Sequence, residues 1–410
     1  MQFTDFRSVY EMLKYTVGRY ANQPAYSWIR DDRSLGSVTW TEFLGQVRQA
    51  GKGLIALGVG KNDKACIQSY TCYPWILTDM ALMSIGSVTV GIYQSNLPKD
   101  CRYIINHSDA VLVFVQDDVQ LAKVLSIREE IPKVRKVILF KGTPPKDDWV
   151  ISYDEFLELG AGVPDTAFEE RMGQVKASDP AGIVYTSGTT GDPKGVVGNN
   201  ARLCAAGVLG WVFGYATDER PYSGLSLTHG NAQAVTLAPA LSMSLRAVFS
   251  RRFTKSRLWD VCRHYGCTSF SLVGGMATAV YSEPARPDCF SASPAIESQR
   301  WRFAASPATV RAVRIGTSRS TPSSTACLTR SSNPFLTSAT ASVTGRGGAA
   351  GANAPERAIA TPAAVTVSTI PCHNRPAPAG GRRARGAPRG RSAGCGRARS
   401  RRLRVGEHGG

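Results

Sequence analysis

The stretch YTSGTTGDPKGV, residues 185–196, carries four Ser/Thr hydroxyls, three glycines and one lysine. Gly188, Gly191 and Gly195 let the backbone reach positive φ and approach an anion closely, so that successive N–H groups can point inward as a nest. Thr186, Ser187, Thr189 and Thr190 add hydroxyl donors, and Lys194 adds a charge that tolerates several phosphate geometries. The ordered set predicts a polyphosphate cradle. Its spacing is neither GxxxxGK[ST] nor GxGxxG. A polar hairpin accounts for the Gly and Thr richness but not for the order.

Such a loop needs a strand to present it. The apolar run Ala181 to Tyr185 leads straight into it, which predicts the loop at the carboxyl end of a strand, where ligands collect in open α/β sheets. Upstream, AYSWIR and SVTW read as strands, and Thr41 opens the helical segment TEFLGQVRQAGKGLIALG, with apolar residues at Phe43, Leu44, Val47, Leu54, Ile55 and Leu57. KACIQSY and SVTVGIY read as strands around the helix PWILTDMALMSIG, which has Pro74 in its first turn. AVLVFVQD and VRKVILF are continuous β-branched runs of the kind buried on both faces of a parallel sheet, with the helix QLAKVLSIREEI between them. The alternation predicts an α/β fold of βαβ units. We divide the chain into a first α/β subdomain (1–170), a second with the phosphate loop (171–288) and a segment of different character (289–410).

Charge follows that last division. Of the net +18, almost all lies beyond Asp288: residues 289–410 hold 19 Arg, no Lys and three acids, against 30 Lys+Arg and 28 Asp+Glu before them. A nucleic-acid argument from basicity therefore does not apply to the front part. In the last 122 residues, 92 are Ala, Arg, Gly, Ser, Thr or Pro, and Lys, Asp, Tyr and Met are absent. This composition buries too little apolar surface to offset chain entropy and predicts disorder.

Ten cysteines occur without a CxxC pair or a zinc-type Cys/His spacing; Cys262 and Cys267, with four residues between them, have no partnering cluster. Reduced, mostly buried thiols of a cytoplasmic protein are expected. Asp5 and Glu11 interrupt the N-terminus where a secretory segment would be apolar, and no run reaches the roughly 18 apolar residues of a membrane span. A soluble chain is expected.

Tyr185 to Val196 resembles the signature loop of the adenylate-forming superfamily, which includes acyl-CoA synthetases, peptide-synthetase adenylation domains and luciferases. The segment from VTWTEFLGQ to GIYQSN is similar to the N-terminal segment of that superfamily, and GIYQSNLPKDCRYIINHSDAVLVFV resembles its long-chain fatty acyl-CoA synthetase branch. The resemblance covers residues 1–288 and implies the large N-terminal domain of these enzymes. It implies ATP, Mg²⁺ and coenzyme A as cofactors and a small carboxylic acid, a fatty acid, as substrate. The carboxylate attacks the α-phosphate of ATP to give an acyl-adenylate and pyrophosphate, and the thiol of coenzyme A then displaces AMP. By the same resemblance Thr186 to Lys194 hold the leaving phosphates, with Thr186 nearest Mg²⁺.

LSLTHGNAQ, residues 225–233, matches the place where these synthetases have a proline, a short spacer and a histidine. His229 would face the adenylate and acyl carboxyl; Ser226 stands where the proline is expected, and a satisfied structural histidine is the alternative. SLVGGMAT, residues 271–278, looks like the border of the acyl pocket, where Gly274 and Gly275 either open room for substrate or make a tight turn.

The resemblance breaks off near YSEPARPD. The superfamily's later YGxTE segment, its ribose-binding aspartate and its small mobile domain with a catalytic lysine have no counterpart, because no Tyr, Asp or Lys follows Asp288. A shifted reading frame in a GC-rich gene gives such a mixture, and on that reading the chain is a truncated, inactive synthetase missing its C-terminal lid. The alternative is a non-catalytic nucleotide-binding remnant with a basic tail gripping nucleic acid or anionic membrane by charge. With no aromatic residue after Phe335, base stacking has no support and no specific nucleic-acid partner is expected; peripheral membrane contact stays open.

Overall fold

The computed structural model describes residues 6–186 and 192–283, and the backbone of three further strands at 299–306, 309–316 and 368–369. In chain order the strands are β1 (Pro24–Ile29), β2 (Leu35–Thr39), β3 (Lys64–Gln68), β4 (Val88–Ile92), β5 (Ala110–Val115), β6 (Lys136–Leu139), β7 (Val150–Ser152), β8 (Pro180–Thr186), β9 (Lys194–Asn199), β10 (Pro221–Ser223), β11 (Ala247–Phe249), β12 (Ser269–Leu272), β13 (Gln299–Ser306), β14 (Thr309–Gly316) and β15 (Ser368–Thr369). Among the described residues they form two sheets. One has seven strands in the order β7-β6-β5-β3-β4-β8-β9, the other eight in the order β15-β13-β14-β12-β10-β11-β1-β2.

The seven-stranded sheet is parallel except for its last pair, β8 with β9. The eight-stranded sheet is parallel through β12, β10, β11 and β1 and antiparallel at both ends. The alternation seen in the sequence is thus a doubly covered α/β arrangement. The 170/171 boundary, however, does not separate the sheets: β8 and β9 join the strands before it, and β1 and β2 join β10 to β12. Adjacency in sequence hides this, because β1 finds its partner more than 200 residues away.

Helices α1 (Val9–Tyr20), α2 (Trp40–Ala56) and α3 (Tyr73–Ser84) fill the space between the sheets. Thr39 and Glu42 close a capping box at the start of α2, and Phe43, Val47, Ala50 and Leu54 form its buried stripe. α3 is buried all round from Trp75 to Ser84, Asp79 included, as expected of a helix between two layers. Period-two alternation divides each central strand between two cores: Leu112 and Phe114 join Trp75, Phe43 and Phe249, while Val113 and Val115 join Ile104 and Leu121 on the opposite face. The latter two belong to α4 (Pro98–His107) and α5 (Asp118–Leu125).

Past Asp288 the composition gives no core-forming pattern, yet β13 to β15 extend the eight-stranded sheet from β12. QRWRFAAS and TVRAVRIG do alternate arginine with apolar residues over part of their length, and an open strand edge accepts any backbone that can pair. The Arg-rich run after residue 380 lies outside the described residues.

Candidate active site

A cavity of about 610 Å³ opens at the carboxyl ends of β4 and β8 and against the turn that follows β10. Its lining includes Gly91, Tyr93 and Asn96 from β4 and the loop after it, Tyr185 and Thr186 from β8, and His229, Gly230 and Gln233 from the segment after β10. A volume in this range suits a small-molecule cofactor or substrate. Carboxyl-terminal strand ends are where an open α/β sheet leaves room for a ligand.

The apolar run before the loop is strand β8. Thr186 ends β8 and Lys194 opens β9, and the two face each other in antiparallel register, with the Thr186 hydroxyl 3.5 Å from the Lys194 carbonyl. Ser187, Gly188, Thr189, Thr190 and Gly191 lie outside the described residues. Thr186 lines the cavity; Lys194 is exposed at its mouth strand and is not among the lining residues. At Gly195 a Cβ would stand 3.0 Å from Cγ2 of Ile183 and 3.3 Å from the Tyr185 ring, so side-chain packing demands this glycine as much as an anion would. The Tyr185 hydroxyl exchanges a hydrogen bond of 2.7 Å with Nδ1 of His107 on α4, and burial pushes its pKa up to about 12. The loop therefore leaves the sheet from an anchored residue.

His229 sits in a tight turn. Its N–H donates to the Ser226 carbonyl (2.9 Å), and the Ser226 hydroxyl accepts from the Thr228 N–H (3.2 Å), so the residue standing in place of the expected proline caps the turn itself. The Asn231 N–H donates to Nδ1 of His229 at 3.1 Å, which puts the proton of the neutral ring on Nε2. Burial lowers the imidazole pKa, so the ring is neutral at pH 7.

Helix geometry shapes the next part of the wall. Residues Ala232–Leu237 form a π-helical turn, and Pro239 follows it. Pro239 has no N–H for the carbonyl four residues back, and the buried Tyr215 hydroxyl donates to that carbonyl, Val235 O, at 3.3 Å. On the other side, Lys123 of α5 donates to the carbonyls of Gln94 (2.6 Å) and Asn96 (3.0 Å), holding the loop after β4.

Thr186 and His229 thus line one cavity. Gly274 and Gly275 are not among its lining residues. Gly274 has φ +36°, a conformation that favours glycine, and caps the helix Gly275–Tyr281; neither glycine has a neighbour within 4 Å of a Cβ position. A turn requirement explains Gly274 without a ligand. Sequence reasoning missed Tyr93, Asn96, Gln233 and Arg202. The last lies on a helix, Asn200–Ala206, whose Asn199 cap accepts the Arg202 N–H at 2.9 Å. The only sequence signal for it is the Asn-Asn pair that starts that helix.

Among the described residues, no Asp or Glu lines the cavity and no cluster of three or more His, Cys, Asp or Glu side chains suited to a metal occurs. Mg²⁺ takes its protein ligands from carboxylates. The Thr186 hydroxyl alone does not fit a protein-held ion.

The fold is a doubly covered α/β arrangement with Thr186 and His229 at one cleft. The chain belongs to the AMP-binding enzyme family, which matches residues 13–333. The match runs past Asp288, where the motif resemblance stops. Curated relatives are long-chain-fatty-acid-CoA ligases. That of Mycobacterium bovis is 34% identical over 194 residues, covering 44% of this chain and 32% of the relative. One of Homo sapiens is 28% identical over 250 residues, covering 59% and 36%. The chain thus spans about a third of the length of these relatives. Among solved structures, an anthranilate CoA ligase in complex with anthranoyl-AMP aligns with a TM-score of 0.58 at 20% identity, over 66% of this chain and 51% of that one, a likeness of fold. No helix among the described residues is long and apolar enough to cross a membrane.

Proposed function

We propose that this chain carries the nucleotide and acyl site of an ATP-dependent fatty acyl-CoA ligase of the cytoplasm. The observation that supports this most is the shared cavity, with Thr186 and the base of the phosphate loop on one side and His229 on the other. In this reading Thr186, Ser187, Gly188, Thr189, Thr190, Gly191, Lys194 and Gly195 bind the β- and γ-phosphates of ATP. A fatty acid carboxylate attacks the α-phosphate, and pyrophosphate leaves into the loop. The protein's part is positioning and charge stabilisation. His229, neutral through burial, offers an Nε2–H hydrogen bond to the acyl carboxyl and does not act as a cation. Coenzyme A is the second substrate, and its thiol would displace AMP. Mg²⁺ would enter on the phosphates with Thr186 beside it, and we derive no step through the ion.

We further propose that the chain binds ATP without completing turnover, because residues 289–410 contain no Tyr, Asp or Lys to supply the adenine contact, ribose carboxylate or thioester-forming lysine that the resemblance requires. Calorimetric titration of the purified chain with ATP tests it. Lys194→Met should weaken binding about tenfold to a hundredfold, the worth of one charge-assisted hydrogen bond, and no acyl-CoA should form. Robust thioester formation would overturn the inactive reading, and binding indifferent to Lys194 would overturn the site.

A further inference from the structure

The segment 225–228 that leads into His229 follows a strand of the eight-stranded sheet, but its docking partners lie on the seven-stranded one. Thr71, in the connection from β3 to α3, is 4% exposed. Its hydroxyl donates to the Leu225 carbonyl at 3.1 Å and accepts from the Leu227 N–H at 3.1 Å. One side chain therefore satisfies a donor and an acceptor two residues apart, which specifies both position and direction of that backbone. On the adjacent strand β4, Gly91 brings its backbone against Thr228, leaving no room for a Cβ. The Gln233 amide then donates to the Leu227 carbonyl at 2.7 Å. The backbone they hold, residues 225–228, immediately precedes His229.

We infer that Thr71 is a positioning residue for the active site: its hydroxyl locks the histidine turn onto the end of β3 and so holds His229 in the cavity wall. Valine in its place has the same shape and cannot make either bond, which frees Leu225 and Leu227 to move away from the sheet. The Ser226–His229 turn would travel with them and carry the ring toward water. Serine keeps both bonds. The inference rests on the reading of His229 as the residue that faces the adenylate, but its test does not.

The test follows the ring nitrogens of His229 by NMR through a pH titration of the full chain, with His229→Gln identifying the signal. In the parent, His229 should titrate below the ordinary imidazole range and keep the Nε2–H tautomer. Thr71→Val should raise the midpoint toward about 6.5 and mix the tautomers, and Thr71→Ser should restore parental behaviour. Should the valine variant fail to fold by circular dichroism, Thr71→Ala removes the same bonds without a second methyl and is read in the same way. A parental titration in a folded Thr71→Val or Thr71→Ala chain, or a serine variant that behaves like valine, would overturn the inference. Fatty acid binding by His229→Gln in the presence of ATP is measured in parallel: unchanged affinity there removes the functional assignment of His229 and leaves the positioning result standing.

Discussion

Gly91 and Thr228 meet so closely that a Cβ built on the glycine would stand 2.8 Å from Cγ2 of Thr228 and 3.2 Å from its Cα. The neighbour is backbone as well as methyl, so it cannot swing aside. Gly91→Ala should destabilise the chain by roughly 1–3 kcal/mol through overpacking and displace the His229 turn. Gly182→Ala is the control: on the neighbouring strand β8, the nearest atom to its Cβ is the Thr89 carbonyl at 3.7 Å. Urea unfolding should show a lower midpoint for the first variant and little change for the second.

Asp79 lies 5% exposed in the middle of α3, and loss of hydration pushes its pKa up to about 7 from 3.8. The folded chain then holds a proton that the unfolded chain releases near pH 4. Stability from this group is present below pH 4 and lost as pH rises to about 7. Asp79→Asn should be more stable than the parent at pH 8 by a few kcal/mol, a shift of this size having an upper bound of about 4. The difference should shrink toward pH 5 in paired urea titrations. An equal advantage at both pH values would mean that Asp79 is ionised throughout.

Tyr185→Phe removes the hydrogen bond to His107 while keeping the ring in place. The cost to folding should be about 1 kcal/mol, read as a lowered urea midpoint. Since the residue sits one position before Thr186, ATP affinity should fall as well. A variant with unchanged affinity would show that the loop does not depend on its anchor.

Tyr215 and Pro239 form a compensating pair across the π-helical turn. Tyr215→Phe should cost roughly 1–3 kcal/mol, because the Val235 carbonyl is left without its donor in a buried place. Pro239→Ala supplies a backbone N–H to the same carbonyl. The double variant should therefore lose less than the sum of the two singles, a coupling that a double-mutant cycle reads directly.

Much of the fold was legible. The apolar runs of β5 and β6, the capped stripe of α2 and the loop at the end of β8 all follow from local pattern. The arrangement of the strands into sheets was not, because β10 and β11 have three residues each and carry no periodicity. The candidate site divides in the same way. Glycine and hydroxyl density mark the phosphate loop, but nothing local marks Thr71 or Gly91. Their partners lie 154 residues from Thr71 at Leu225 and at Thr228, and such a contact leaves no trace in spacing.

The pairing of β1 with β11, Tyr26 opposite Ala247, has a consequence for how the molecule is made. Strands β3 to β9 are contiguous between residues 64 and 199, so their sheet can close while the ribosome is still working. The first strand must wait for residue 249. At 5–20 residues per second that is roughly ten to forty seconds during which β1 has β2 beside it but not its parallel partner. The pairing of β1 with β11 is therefore a late step, closed only after the seven-stranded sheet has its strands.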